Sequence, residues 1–157
     1  MKIREIMSEP AVTCRATDSL NRAARLMWEH DCGVLPVTGD DGRLVGVVTD
    51  RDICMAAYTR GTTLRAIRVE DAMARSVFGC GPDDSLEKAE TLMSDKQIRR
   101  LPVVDEYDRP IGVVSVNDIA RQAATSRKQD GRDQFTQTLA AIGRPRRVAD
   151  RPLEDLP

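Results

Sequence analysis

The chain of 157 residues contains an internal duplication, which restricts it to folds built from two similar units. Residues 3–53, here called copy one, align without a gap with residues 69–119, called copy two. The offset is 66 residues throughout, and 17 of the 51 aligned positions are identical, where chance would leave only a few. A fold in which one structural unit is repeated is therefore predicted.

Each copy predicts the element order β-α-β-β-α. A short extended piece comes first, and Ser19, or Ser85 in copy two, then precedes a helix whose apolar residues recur at helical spacing. Two apolar strands around an Asp-rich turn predict a hairpin, and a second helix is expected to begin near Asp50 or Val116. One unit has too little material to cover its own sheet. The predicted fold class is therefore α/β (α+β type), with two such units packed as a pseudo-two-fold pair.

The organisation along the chain follows from the repeat and from a change in composition near its end. Unit one is expected over residues 1–60, a linker over 61–68 and unit two over 69–126. Residues 127–157 form a basic C-terminal tail, in which the apolar spacing predicts a short helix over 134–142. The tail is interpreted as a segment that docks on the module or caps a dimer, with disorder as the alternative.

The composition argues against several classes of function. The formal net charge is −1 and only five residues are aromatic, so nucleic acid is not an expected partner. No apolar run approaches the roughly 20 residues of a membrane span. The charged N-terminus does not resemble a secretory signal, so a cytoplasmic protein without membrane association is expected. One histidine and four widely spaced cysteines predict no metal centre, and the thiols are expected to be buried as small apolar groups.

Four motifs make the chain resemble a known family. They are M-x-x-x-x-x-T at Met7, D-S-L-x-x-A-x-x-L-M at Asp84, LPV after the first helix of each copy, and GVVTDRDI or GVVSVNDI before the second helix. Their order, doubled at one spacing over residues 1 to about 122, resembles a pair of CBS domains, which is called a Bateman module. The resemblance implies a stand-alone sensor that binds adenosine-containing ligands in clefts between the two copies and that often dimerises as a flat disc.

Two hydroxyl–carboxylate pairs are the leading candidates for a binding site. Thr49 and Asp52 in copy one, and Ser115 and Asp118 in copy two, each follow a strand and open a helix. Free N–H groups in a first helical turn bind anions, and a carboxylate one turn further on can accept hydrogen bonds from a vicinal diol. The resemblance implies that the hydroxyl holds phosphate and the carboxylate holds ribose. The same pattern is close to a capping box, so helix capping is the alternative.

Further ligand contacts are expected from extended segments and from arginines. The segments before the first helix and before LPV resemble the base-contacting stretches of the family, although each is also explained as a short core strand. Arginine suits bidentate phosphate contacts, with a solvated surface charge as the alternative. Because the arginines differ between the copies, the two clefts are expected to differ in charge. These additional candidate nucleotide-binding residues are Val12, Thr13, Val34, Arg51, Phe78, Arg99 and Arg100.

The function predicted from these features is a regulatory sensor that requires no cofactor. An effector such as AMP, ADP, ATP or another adenosyl ligand is expected to bind between the copies and to change their packing, which an unidentified effector protein would detect. A homodimer is expected, in which Trp28 anchors the interface or borders a core. The alternative is a ligand-free scaffold for interaction or dimerisation. An enzyme is not expected, because the sequence offers no nucleophile–base pair and no metal constellation.

Overall fold

The architecture is that of a computed structural model, which describes residues 1–125 and 129–144. The strands are β1 (Cys14–Arg15), β2 (Val34–Thr38), β3 (Leu44–Thr49), β4 (Arg100–Val104) and β5 (Pro110–Ser115). The helices are α1 (Leu20–Glu29), α2 (Asp50–Arg60), α3 (Leu86–Lys96), α4 (Val116–Thr125) and α5 (Gln129–Ile142). Short 3-10 helices cover Ile3–Glu5, Leu64–Ala66 and Val69–Asp71. Within the described ranges, no helix combines the length and the apolar character that crossing a membrane requires.

Each copy contributes an antiparallel hairpin, as its turn sequence predicts. In copy one, β2 pairs with β3, and β1 adds a parallel edge strand in which Cys14 lies beside Val37. In copy two, β4 pairs with β5, and Cys80 makes the corresponding parallel bridge to Val103. Helices flank both sheets. The predicted fold class, a mixed α/β fold with two β-α-β-β-α units, is confirmed.

The first helix of each copy begins at a serine, as predicted. Ser19 Oγ accepts a hydrogen bond from the Arg22 N–H at 3.3 Å, and Ser85 Oγ accepts one from the Lys88 N–H at the same distance. Each serine thereby satisfies an N–H group that has no partner inside the helix. The second helices also begin at their predicted residues.

The first residues of each copy pair with the sheet of the other copy. Ser8 forms an antiparallel bridge with Val113 of copy two, and Ala74 forms the equivalent bridge with Val47 of copy one. The apolar residues around each bridge follow it: Ile3, Ile6 and Met7 join the core of copy two, while Ile67, Val69 and Met73 join that of copy one. The segment predicted to be a linker over 61–68 thus supplies Ile67 to the core of copy one. Each copy completes its core with the beginning of the other.

Two glycines allow these exchanged segments to approach the hairpins closely. A β-carbon at Gly46 would lie 2.5 Å from Met73 Sδ and 3.0 Å from the Ala74 carbonyl oxygen. A β-carbon at Gly112 would lie 2.9 Å from the Ser8 carbonyl oxygen. Because a side chain at either position would collide with backbone, glycine is what fits there.

Helix α5 belongs to the tail and packs on α3 and α4 of copy two. It begins five residues before the helix predicted over 134–142. Phe135 and Ile142 contact the core of copy two, and Gln134 Nε2 donates a hydrogen bond to Glu90 Oε2 at 2.6 Å. The described part of the tail therefore docks on the module. The rest of the predicted tail, at 127–128 and 145–157, lies outside the described residues, as does residue 126 at the end of unit two.

Candidate functional site

The two candidate hydroxyl–carboxylate pairs occupy equivalent places in the two copies. We call Thr49 with Asp52 the first corner, and Ser115 with Asp118 the second corner. The strand registers place Val34 opposite Thr49 and Arg100 opposite Ser115. Val34 is a buried strand residue, whereas Arg100 is partly exposed. Each corner lies where a strand ends and a helix begins.

The first corner forms a capping box. The N–H and Oγ1 of Thr49 both donate hydrogen bonds to Asp52 Oδ2, at 2.8 and 2.7 Å, and the Asp52 N–H donates to Thr49 Oγ1 at 3.2 Å. Asp52 is half-buried. In the described part of the chain, no group donates a hydrogen bond to its other oxygen, Oδ1. This corner therefore caps its helix and still keeps one carboxylate oxygen for a ligand.

The second corner has the same box and an additional cation. The N–H and Oγ of Ser115 donate to Asp118 Oδ2 at 2.7 and 2.5 Å. Arg121, one turn further along α4, donates to Asp118 Oδ1. Asp118 is 6% exposed, so this carboxylate is buried and both of its oxygens are engaged. At the same offset of 66 residues, α2 has Met55 in the place of Arg121. Asp52 and Asp118 are equivalent in the repeat, but only Asp118 has a hydrogen-bond donor at Oδ1 among the described residues.

A cavity of about 410 Å³ lies at the second corner, a volume typical of small-molecule sites. It is lined by Arg99, Arg100, Ser115, Val116, Asn117, Leu139, Ile142 and Gly143. Arg99, Arg100 and Ser115, which were predicted as site residues, therefore meet in this cavity. Leu139, Ile142 and Gly143, at the end of α5, were not predicted as site residues. Amphipathic spacing predicts that a helix forms but does not indicate where the helix packs.

The three candidate arginines differ in their surroundings. Arg51 is exposed in the first turn of α2, and Arg99 and Arg100 line the cavity. Arg100 also extends toward copy one. A β-carbon on Gly33 would lie 3.2 Å from Arg100 Nη2 and 2.9 Å from Asp50 Oδ2. Arg100 therefore places a positive charge at the border between the two copies.

The expected base-contacting segments cross that border. The Ala11 N–H donates to a carbonyl of β5 in copy two at 3.0 Å, and β1 of copy one begins three residues later, so Val12 and Thr13 span the gap. Phe78 has the position equivalent to Val12 in copy two. Its ring lies 4.8 Å from Lys96 Nζ and does not line the cavity.

Cysteines and acidic residues do not form a metal site in residues 1–125 and 129–144. Burial raises the pKa of Cys14 to about 12 and that of Cys80 to about 11, so both thiols are protonated at neutral pH. Cys32 is half-buried, and burial raises its pKa as well. Cys54 is exposed on α2, and the expectation that it is buried was wrong.

Comparisons with known proteins identify relatives of this chain. Hypoxic response protein 1 of Mycobacterium tuberculosis is 35% identical over 118 residues, which are 75% of this chain and 82% of that protein. Homoserine O-acetyltransferase of Methanohalobium evestigatum is 36% identical over 119 residues, which are 76% of this chain but only 23% of that enzyme. The chain thus spans less than a quarter of the length of this curated relative.

Among solved structures, the CBS domain pair of protein MJ0100, in complex with 5′-methylthioadenosine and S-adenosyl-L-methionine, superimposes with a TM-score of 0.71. It is 31% identical and covers 79% of this chain and 96% of that chain. The family model for the CBS domain matches twice, over residues 3–58 and 69–124, which are most of the chain. The resemblance inferred from the four motifs is confirmed. This chain belongs to the CBS domain family and carries two CBS domains in tandem.

Proposed function

We propose that this chain is a regulatory module that binds an adenosine-containing ligand between copy one and copy two. The observation that carries the proposal is the cavity at the second corner, which is lined by copy two and α5 and which Arg100 connects to the border with copy one. The CBS domain pair of MJ0100, whose fold is similar, was solved with two adenosine derivatives. That structure supports the ligand class, and the cavity supports a place for it here.

The second corner is suited to the anionic part of such a ligand. Guanidinium groups make bidentate, charge-assisted hydrogen bonds to phosphate or carboxylate, and Arg99 and Arg100 supply two of them. The positive end of the α4 helix dipole adds a favourable partial charge, although the N–H groups of Val116 and Asp118 already donate to the Arg99 carbonyl and to Ser115 Oγ. Asn117 on the same turn offers an amide that can donate or accept.

The first corner is suited to the ribose. Asp52 Oδ1 has no hydrogen-bond donor within the described residues, so it can accept hydrogen bonds from a ribose diol while Oδ2 caps the helix. Asp118 is 6% exposed and already pairs with Arg121, so its carboxylate is less accessible to a diol. We therefore propose that ribose is recognised more strongly at the first corner, and that anionic groups are recognised more strongly at the second.

A regulatory role is favoured over a catalytic one. The homoserine O-acetyltransferase relative matches this chain over only 23% of its length, so the shared part is a CBS pair within a longer protein. Ligand binding across the border of the copies would favour one packing of the two units, and a partner protein would respond to that change.

The second candidate is a ligand-free scaffold. It is favoured by the capping boxes, because both corners satisfy the N-termini of their own helices without any ligand. In that case the corners would serve stability alone, and the pair of units would act as an interaction or dimerisation surface.

A panel of ligands separates these two candidates. Thermal unfolding would be followed with AMP, ADP, ATP, S-adenosylmethionine and 5′-methylthioadenosine, with GMP and GTP as controls for the base. A ligand at 100 times its Kd adds about 2.7 kcal/mol to the free energy of unfolding, which raises Tm by several degrees in a chain of this size. We expect such a rise with at least one adenosine compound. No rise with any of them would favour the scaffold.

We further propose that the module is a homodimer. Trp28 on α1 is 89% exposed, which removes the alternative that it borders a core. Met55 and Tyr58 on α2 are also exposed. Exposed large apolar side chains on neighbouring helices are typical of interaction surfaces, where aromatic residues act as anchors.

A further inference from the structure

We propose that helix α5 forms one wall of the ligand site at the second corner, and that Leu139 is a specificity-determining residue of that site. This inference rests on the proposed function, because it assigns the cavity to the same class of ligand. It goes beyond that function in assigning a ligand contact to a segment outside both CBS domains.

The two sides of the cavity have different chemistry. One side is formed by copy two and carries Arg99, Arg100 and Ser115. The opposite side is formed by the last turn of α5 and carries Leu139 and Ile142, with Gly143 directly after the helix. A ligand with a charged end and a flat apolar end matches such a site, because each end meets groups of its own kind. An adenosine nucleotide has both.

The α5 wall is held in place by contacts with the core of copy two and with the end of α3. Ile142 is 8% exposed and packs in the core of copy two together with Phe135. Gln97, at the end of α3, donates from Nε2 to the carbonyl oxygens of Ala141 and Arg144, at 3.4 and 3.0 Å. These contacts bind the last turn of α5 to copy two. The wall is therefore formed before a ligand arrives, which limits the entropy lost on binding.

Leu139 is the member of this wall that is free to contact a ligand. Its side chain is 43% exposed although it is apolar, whereas Ile142 is committed to the core. A base packed on Leu139 would cover this exposed apolar surface, as ligand sites do with most of their lining. Since α5 has no counterpart in the repeat, the contact also distinguishes the second corner from the first.

The contact has a consequence for stability. A ligand that touches both copy two and α5 binds more tightly when α5 is docked, so its binding further stabilises the docked position that α5 already has without ligand.

The test is a calorimetric titration of the full chain with AMP, ATP and S-adenosylmethionine. The variant is Leu139→Gln, which keeps a good helix former of similar length but removes the apolar surface. Leu139→Met preserves the apolar surface, and Thr136→Ala alters an exposed residue of the same helix that does not line the cavity. We expect roughly ten-fold weaker binding of at least one compound in Leu139→Gln, as is typical for lost apolar contacts in a pocket, and no change in the two controls.

The possible results separate the inference from the proposed function. If the unaltered chain binds and Leu139→Gln binds equally well, the α5 wall is wrong while the proposed function stands. If the unaltered chain binds none of the three compounds, both are overturned. Circular dichroism and Tm of each variant in the absence of ligand establish that α5 is still folded. If Leu139→Gln has lost helix, Leu139→Ala replaces it and the same criteria apply.

Discussion

At the scale of single residues, the duplication conceals a difference in hydrogen bonding. Asp52 and Asp118 are aligned, and each accepts two hydrogen bonds from the residue three positions earlier. The residue one turn further on decides what remains, since Arg121 occupies the second oxygen of Asp118 while Met55 leaves that of Asp52 open. A sequence motif thus identifies a carboxylate, but its neighbours determine whether a ligand can use it.

We expect the substitution Met55→Arg to make the first corner resemble the second. The new guanidinium would pair with Asp52 Oδ1 and compete with the ribose, so binding should weaken about ten-fold, the equivalent of one charge-assisted hydrogen bond. The ligand to titrate is 5′-methylthioadenosine, because it has no phosphate that an added arginine could attract. Met55→Lys, whose ammonium cannot make the planar paired contact, is the control. Equal affinity in Met55→Arg and the unaltered chain would show that Asp52 does not hold the ribose.

At the scale of secondary structure elements, the local features were predicted and the long-range packing was not. Both hairpins and the starts of all four helices in the two copies follow from turn residues, caps and apolar spacing, which act over a few residues. The exchange of Ser8 and Ala74 between the sheets could not be predicted, because an alignment of two copies does not state which sheet a segment joins. The same limit explains why the packing of α5 against the cavity was missed.

We expect Glu90, which lies in the contact between α3 and α5, to make the stability of the folded state depend on pH. It is 4% exposed on α3, and burial, followed by the negative charge of Glu87, raises its pKa above the ordinary value of 4.5. A carboxyl group with a raised pKa in the folded state binds its proton more tightly there than in the unfolded chain. The folded state should therefore be most stable below about pH 4.5 with respect to this group, and should lose that stability as the pH rises through the raised pKa.

We expect Glu90→Gln to raise Tm at pH 7, because the amide removes the buried charge and still accepts the hydrogen bond from Gln134. The difference from the unaltered chain should disappear as the pH falls below 4.5. Differential scanning calorimetry between pH 7 and a pH below 4.5 measures the Tm of both chains. Glu106→Gln, at an exposed residue, is the control. A lower Tm at pH 7 would mean that the charged form of Glu90 stabilises the contact with α5.

At the scale of the whole molecule, the tail removes the symmetry of the pair. Helices α3 and α4 of copy two carry α5, which packs on both of them. The equivalent helices of copy one, α1 and α2, expose Trp28, Met55 and Tyr58 instead. At the position of Trp28, copy two has Ser94, which lies beside α5 in a groove. The two helical faces therefore differ, since α5 covers one of them and the other exposes large apolar side chains.

We expect the substitution Trp28→Ser, which introduces the residue of copy two, to weaken the proposed homodimer strongly. Buried tryptophan anchors contribute at least about 2 kcal/mol to an interface, which corresponds to a thirty-fold higher dissociation constant. Sedimentation velocity over a concentration series measures the dissociation constant of the dimer. The control is Tyr107→Ser, which replaces an exposed aromatic residue in the turn of copy two. A monomeric unaltered chain would contradict the homodimer, and a Trp28→Ser dimer of full strength would place the interface elsewhere.

The exchange of opening segments means that neither half of this protein is an independent folding unit. A polypeptide limited to copy one would keep its hairpin but lack Ile67, Val69 and Met73, and its own Ile3 would be left without a hydrophobic partner. Two such half-length chains could complete both cores only if each packed its N-terminal residues into the core of the other. A single polypeptide therefore supplies both exchanged segments, which separate half-length chains could exchange only as an intertwined pair.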